Sequence, residues 1–182
     1  MSSQNSNFAT DKEHYLLGML VYEYEIWSIN YLDDREFLFL KDDNGIVRIF
    51  IDDTEAKEFA AKNGITLAPG IDLIDLDSII EWIRYEKTPV DCAAFINAYN
   101  CTESYAKASN APLPSPGDYA LTALQKLYKG SNDPNHTPEG EEFEAVWSEF
   151  EIIVIKRLMT DVVLFWMSQL EQEIVPDYYW ED

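Results

Sequence analysis

The chain has 182 residues, 47% hydrophobic and 14% aromatic, which is enough apolar material to pack the core of an ordinary domain and argues against global disorder. Thirty-four acidic and 13 basic residues give a formal net charge of -21. A surface this negative repels nucleic-acid phosphates and anionic lipid, so no nucleic acid and no membrane is expected as a partner, and a charged partner should be basic.

Residues 1–10 read as a flexible tail. The opening MSSQNSNFATDKEH lacks a basic segment followed by an apolar stretch, and no apolar run is long enough to span a membrane, so a cytoplasmic protein is expected. From Asp11 to about Tyr22, the apolar residues Tyr15, Leu16, Met19, Leu20 and Tyr22 lie close to helical spacing and predict a helix capped by Asp11. In EIWSINYL, 25–32, Ile26, Ser28 and Asn30 alternate with Trp27, Ile29 and Tyr31, which predicts a strand. The acidic turn 33–36 leads to a strand over 37–41, and Asn44-Gly45 leads to a strand over 46–51. The expected product is a three-stranded antiparallel meander.

The stretch FLFLKDDNGIVRIFID, 37–52, also raises the question of a calcium loop. Placing Gly45 at the sixth position of such a loop puts Leu40 first and Ile51 twelfth, and neither side chain can ligate an ion. Asn-Gly between two β-rich runs is the signature of a type I′ hairpin turn instead. The acids beside it keep the tip in water.

Thr54 is placed to cap a helix with Ala56, Phe59 and Ala60 on its apolar side, stopped by Asn63-Gly64. ITLAPGIDL reads as a connector. Asp75 or Asp77 caps the next helix, whose Ile79, Ile80, Trp82 and Ile83 point inward, and Thr88-Pro89 ends it. VDCAAFINAYN, 90–100, permits a short helix or a fourth strand at 92–97, and the strand is preferred because it would complete the sheet. Three prolines in 108–118 mark a boundary. Beyond it, 118–130 reads as a helix capped by Asp118, and 138–174 as one long helix that the β-branched run 152–155 could split in two. The expected fold is α+β: an antiparallel three- to four-stranded sheet with helices on one face over 11–107, followed by a mostly helical C-terminal portion, 108–182, packed on it.

Catalytic patterns are sparse. His14 and His136 are the only histidines, Cys92 and Cys101 have no basic neighbour to activate them, and no glycine-rich phosphate loop or clustered Cys/His zinc pattern occurs. The two cysteines read as buried thiols rather than a disulfide. No catalytic, cofactor-binding or metal-ligating residue is assigned, and no cofactor is expected. Adjacent acids such as Asp33-Asp34 and Asp42-Asp43 more often face water at turns than share a cleft. Aromatics close to acids are more suggestive, because interfaces favour Tyr and Trp anchors and acids steer a basic partner. The candidate partner-binding residues are therefore Asp33, Asp34, Asp42, Asp43, Tyr178, Tyr179 and Trp180.

The stretch EIWSINYLDDREFLFLKDDNGIVRIFIDDTEAKEFAAKNGI, followed by LIDLDSIIEWI, resembles small uncharacterised bacterial domains of SseB-like layout over residues 12–100. Trp27, Gly45, Phe50, Ala56, Ala60, Leu76 and Ile80 carry the resemblance. It implies an α+β fold and a bacterial source, and it brings no catalytic residues. In type, a small, very acidic α+β chain also resembles immunity proteins that neutralise basic nuclease toxins. A non-catalytic protein-binding role is expected. The alternatives are a housekeeping or regulatory domain that self-associates as a homodimer through 150–167, and a small carboxylate-dependent enzyme.

Overall fold

The computed structural model describes residues 12–34, 36–86, 88–112, 117, 120–132 and 142–174. Its order is β1 (His14–Val21), β2 (Tyr24–Asp33), β3 (Glu36–Phe39), β4 (Ile49–Phe50), α1 (Asp53–Lys62), β5 (Leu67–Asp75), α2 (Leu76–Tyr85), α3 (Cys92–Ser109), α4 (Leu121–Gly130) and α5 (Glu149–Ile174). The fold is α+β. The chain divides into two compact units, one of Met1–Ile74 with Ser104–Pro112, the other of Asp75–Glu103 with Leu113–Asp182.

In the first unit, β1 and β2 pair antiparallel from His14↔Tyr31 to Val21↔Tyr24. This overturns the helix expected at 11–22. Leu16, Leu17, Met19 and Val21 are all buried, so the run is apolar on both faces of a strand. Such a run fits helical and extended periods alike, and long-range pairing with β2 decides it. The two strands are joined by Tyr22 and Glu23, both at positive φ, 51° and 66°. That is the geometry of a two-residue type I′ turn.

The sheet order is β3-β2-β1-β5, with β4 also pairing β2. The meander is corrected here. β3 covers Asn30–Asp33 and β4 covers Trp27–Ser28, so the two follow one another along the same edge of β2. The residues between them leave as a small hairpin closed by the Lys41↔Val47 bridge. Its tip is Asp43-Asn44-Gly45, inside the Asp42 N–H to Ile46 O bond, with Gly45 alone at positive φ. A three-residue loop ending in a left-handed glycine takes the place of the expected two-residue Asn-Gly turn. Nor is the sheet purely antiparallel; it is mixed. β5, read from sequence as a connector because of Pro69 and Gly70, joins beside β1 after α1, the kind of crossover that a parallel neighbour requires.

One face of the sheet presents Leu16, Trp27, Ile29, Leu40 and Phe50 to Ala56 and Ala60 of α1. Asp52, not Thr54, caps α1 by accepting from the Glu55 N–H at 2.7 Å. On the opposite face Phe39, the partner of Asn30, meets Tyr105 of α3 edge-on with ring centroids 5.3 Å apart. Helical cover is therefore not confined to one face. β1 and β2 bury side chains on both, and each fully buried Leu, Ile or Phe contributes about 1.5–3 kcal/mol.

In the second unit, Asp75 caps α2 by accepting from the Ser78 N–H at 3.0 Å. The strand preferred at 92–97 is instead the start of α3. Asp91 accepts from the Ala94 N–H at 3.0 Å, and Cys92, Phe95, Ile96, Tyr99 and Thr102 are buried at helical spacing. Asp118, the expected cap of α4, lies outside the described residues. α5 runs unbroken through 152–155 but starts at Glu149 rather than 138. The reason is local: Ser148 Oγ accepts from the Glu151 N–H, while Glu151 accepts from the Ser148 N–H, a capping box. Among the described residues no helix is long and apolar enough to cross a membrane.

Candidate functional site

The acidic pairs come from two separate turns. Asp33 ends β2 and forms an ion pair with Lys12, 2.5 Å away, whose ammonium also sits 5.1 Å above the Tyr31 ring. Asp34 follows at φ 44°. Asp42 Oδ1 accepts from the backbone N–H groups of Ile46 and Asn44, each at 2.9 Å. The bond from Ile46 does most to hold the Asp42 carboxyl below its usual range. Asp42 thus fixes its own turn, and only Asp43 of that pair is fully exposed. The two pairs are not brought together: β3 and Leu40 lie between them, roughly 13 Å of strand at ~3.3 Å per residue. Tyr178, Tyr179 and Trp180 lie outside the described residues.

A third exposed acidic-aromatic element falls where the helix expected to end at about Tyr22 meets the strand expected from 25, so no turn is expected there from sequence. The β1–β2 hairpin ends in Tyr22-Glu23-Tyr24-Glu25, with Tyr22 42% and Tyr24 60% exposed. The alternation of Tyr with Glu was its only sequence signal. Two non-glycine residues at positive φ cost of order 1–2 kcal/mol each, so the tip holds a conformation that its own residues disfavour.

The second unit contains a cleft of about 530 Å³. Its walls include Trp82, Val90, Phe143, Trp147 and Ile152, and its carboxylates are Glu86, Asp91 and Glu144. Among the described residues no Lys, Arg or His lines it. The Trp82 indole N–H donates to Thr88 O at 3.1 Å, tying the end of α2 to the segment that follows. Lys126 lies 4.9 Å above the Trp147 ring and donates to both carboxylate oxygens of Glu151, at 2.9 and 3.0 Å. Glu86, in a left-handed conformation, forms an ion pair with Lys156.

Cys92 also lines the cleft. Burial, and then the charge of Asp91, push its thiol up, so it stays protonated near neutral pH and is a poor nucleophile. Burial pushes the Cys101 thiol up to about 12. Both cysteines are free and buried. Gly130, at the end of α4, lets the chain approach Cys92: a Cβ there would sit 2.6 Å from the sulfur. His14 is buried in β1 and its Nδ1 bonds Lys12 O at 2.9 Å. Among the described residues, no group of three or more His, Cys, Asp or Glu is placed to hold a metal ion. The cleft was hidden in the sequence because its walls come from segments far apart in the chain.

Comparison with protein-family models, with curated proteins and with solved structures finds no match.

Proposed function

We propose that this chain is a non-catalytic binding protein for a basic protein partner, acting as a toxin-neutralising immunity protein does. Acidic side chains steer the partner in, and aromatic side chains are then buried against it. The observation that carries this reading is the hairpin tip, where exposed Tyr22 and Tyr24 alternate with Glu23 and Glu25 on a chain of net charge -21. Asp34, at the far end of β2 from the tip, and Asp43, in the loop before β4, add charge elsewhere in the same unit. The SseB-like likeness belongs to this proposal as a statement of layout and source, and it supplies no activity. The test is affinity capture from the source cell at low and high salt, with bound proteins identified by mass. One basic protein held at low salt and released at high salt supports the proposal. Recovery of the bait alone at both salts overturns it.

A second reading is favoured by α5. Phe150, Ile153 and Leu164 are exposed along it, whereas Val154, Ile155, Leu158, Met159 and Val162 are buried. An exposed apolar stripe of this kind suits self-association as a homodimer. Sedimentation that gives a monomer at high concentration removes it.

A further inference from the structure

Among the described residues, the cleft of the second unit has aromatic and aliphatic walls, acidic side chains and no basic one. Its volume, about 530 Å³, lies within the ~300–1,000 Å³ typical of sites that enclose a whole ligand. Charge decides among the candidate occupants. The chain's own last eight residues, VPDYYWED, carry three acids and no base, so they would be repelled. A second copy would bring another -21. Both are disfavoured by like charge against these carboxylates.

The carboxylates are not equivalent. Glu86 is answered by Lys156. Asp91 uses Oδ1 to cap α3 and keeps a second oxygen. Glu144 is exposed and has no ion pair or hydrogen bond among the described residues. Among the described residues, Asp91 and Glu144 therefore stand without an ion pair beside Trp82, Phe143 and Trp147. The Trp147 ring already accepts the ammonium of Lys126, the interaction an incoming cation would use.

We propose that this cleft receives an extended basic segment of the partner protein. Lysine or arginine head groups would pair with Asp91 and Glu144, and their apolar stems would lie on Trp82, Phe143 and Trp147. This rests on the reading of the chain as a binder of a basic protein, and it places a contact apart from the hairpin tip.

The test uses the full chain and a fluorescent six-residue peptide of alternating lysine and leucine at low ionic strength, with an alternating glutamate and leucine peptide as control. Asp91→Asn removes a charge but keeps a capping oxygen, because asparagine caps as well as aspartate. Glu144→Gln changes an exposed side chain. Each is expected to weaken the lysine peptide about tenfold, the scale of one charge-assisted contact, while Asp34→Asn and Asp43→Asn change it less than twofold. If only the latter two variants weaken binding, the cleft proposal falls and the basic-partner reading stands. If the wild-type chain binds neither peptide, both fall. If spermidine binds as tightly as the lysine peptide and displaces it fully, the occupant is a small diffusible cation and the peptide proposal is overturned.

Discussion

Replacing Thr102 by valine isolates one buried hydrogen bond. Thr102 is 1% exposed and Trp166 3% exposed. The indole N–H of Trp166 donates to Thr102 Oγ1 at 2.8 Å, and that hydroxyl donates to Ala98 O at 2.7 Å. Valine has nearly the same shape, so Thr102→Val leaves the packing in place and removes the hydroxyl that accepts from the indole N–H. An orphaned buried donor costs about 1–3 kcal/mol. At the roughly 2–4 °C per kcal/mol of a chain this size, a loss of about 2 kcal/mol lowers Tm by roughly 4–8 °C. Thr102→Ser keeps the hydroxyl and loses one methyl group, about 0.8 kcal/mol. Trp166→Phe removes the donor, so the double variant Thr102→Val with Trp166→Phe should be destabilised by less than the sum of the two single changes. Urea and thermal unfolding of the four variants measure this. A Thr102→Val chain as stable as wild type, or a strictly additive double variant, would refute the reasoning.

Tyr22→Asn with Glu23→Gly relieves two left-handed residues and should raise the unfolding free energy by about 1 kcal/mol or more, seen as a higher urea midpoint at unchanged m, while weakening partner binding through loss of the Tyr22 ring. Gly130→Ala drives a Cβ to 2.6 Å from the Cys92 sulfur and should cost about 1–3 kcal/mol by thermal unfolding, with Cys92→Ala restoring most of it. Glu151 gives a pH signature. Hydrogen bonds from Lys126 and then Ser148 hold its carboxyl at about 2, below its ordinary 4.5. A carboxyl depressed on folding stabilises above its unfolded value. That contribution should be complete above about pH 4.5 and lost as the pH falls toward 2, and Glu151→Gln should flatten this part of the stability profile.

Elements whose local signals agree were legible in the sequence. α1 and α2 each carry an apolar stripe between a capping and a stopping signal, although Asp52 rather than Thr54 caps α1, and β2 forms where expected, with Ile26–Asn30 buried on both faces. Elements decided by distant contacts were not legible. The run Leu16–Val21 satisfies two periods, and only its ladder with β2 makes it a strand. Cys92–Ser109 is different, because its deciding signal, the Asp91 cap, is local and the strand preference passed over it. β4 pairs β2 rather than β3, which no local turn chemistry reveals. For the candidate site, the acidic turns could be read directly. The hairpin tip lies at the junction between the expected helix and the strand, where no turn signal stands out, and the cleft needs the tertiary approach of Trp82, Phe143 and Trp147.

Steering of a basic partner by acids, followed by burial of aromatics, is tested most directly by association kinetics. The association rate constant of the chain with its captured partner would be measured across ionic strengths from about 20 to 500 mM, a range in which the screening length falls several-fold. A rate that drops steeply with salt, while dissociation changes little, is the expected result. An association rate that stays flat with salt would contradict it.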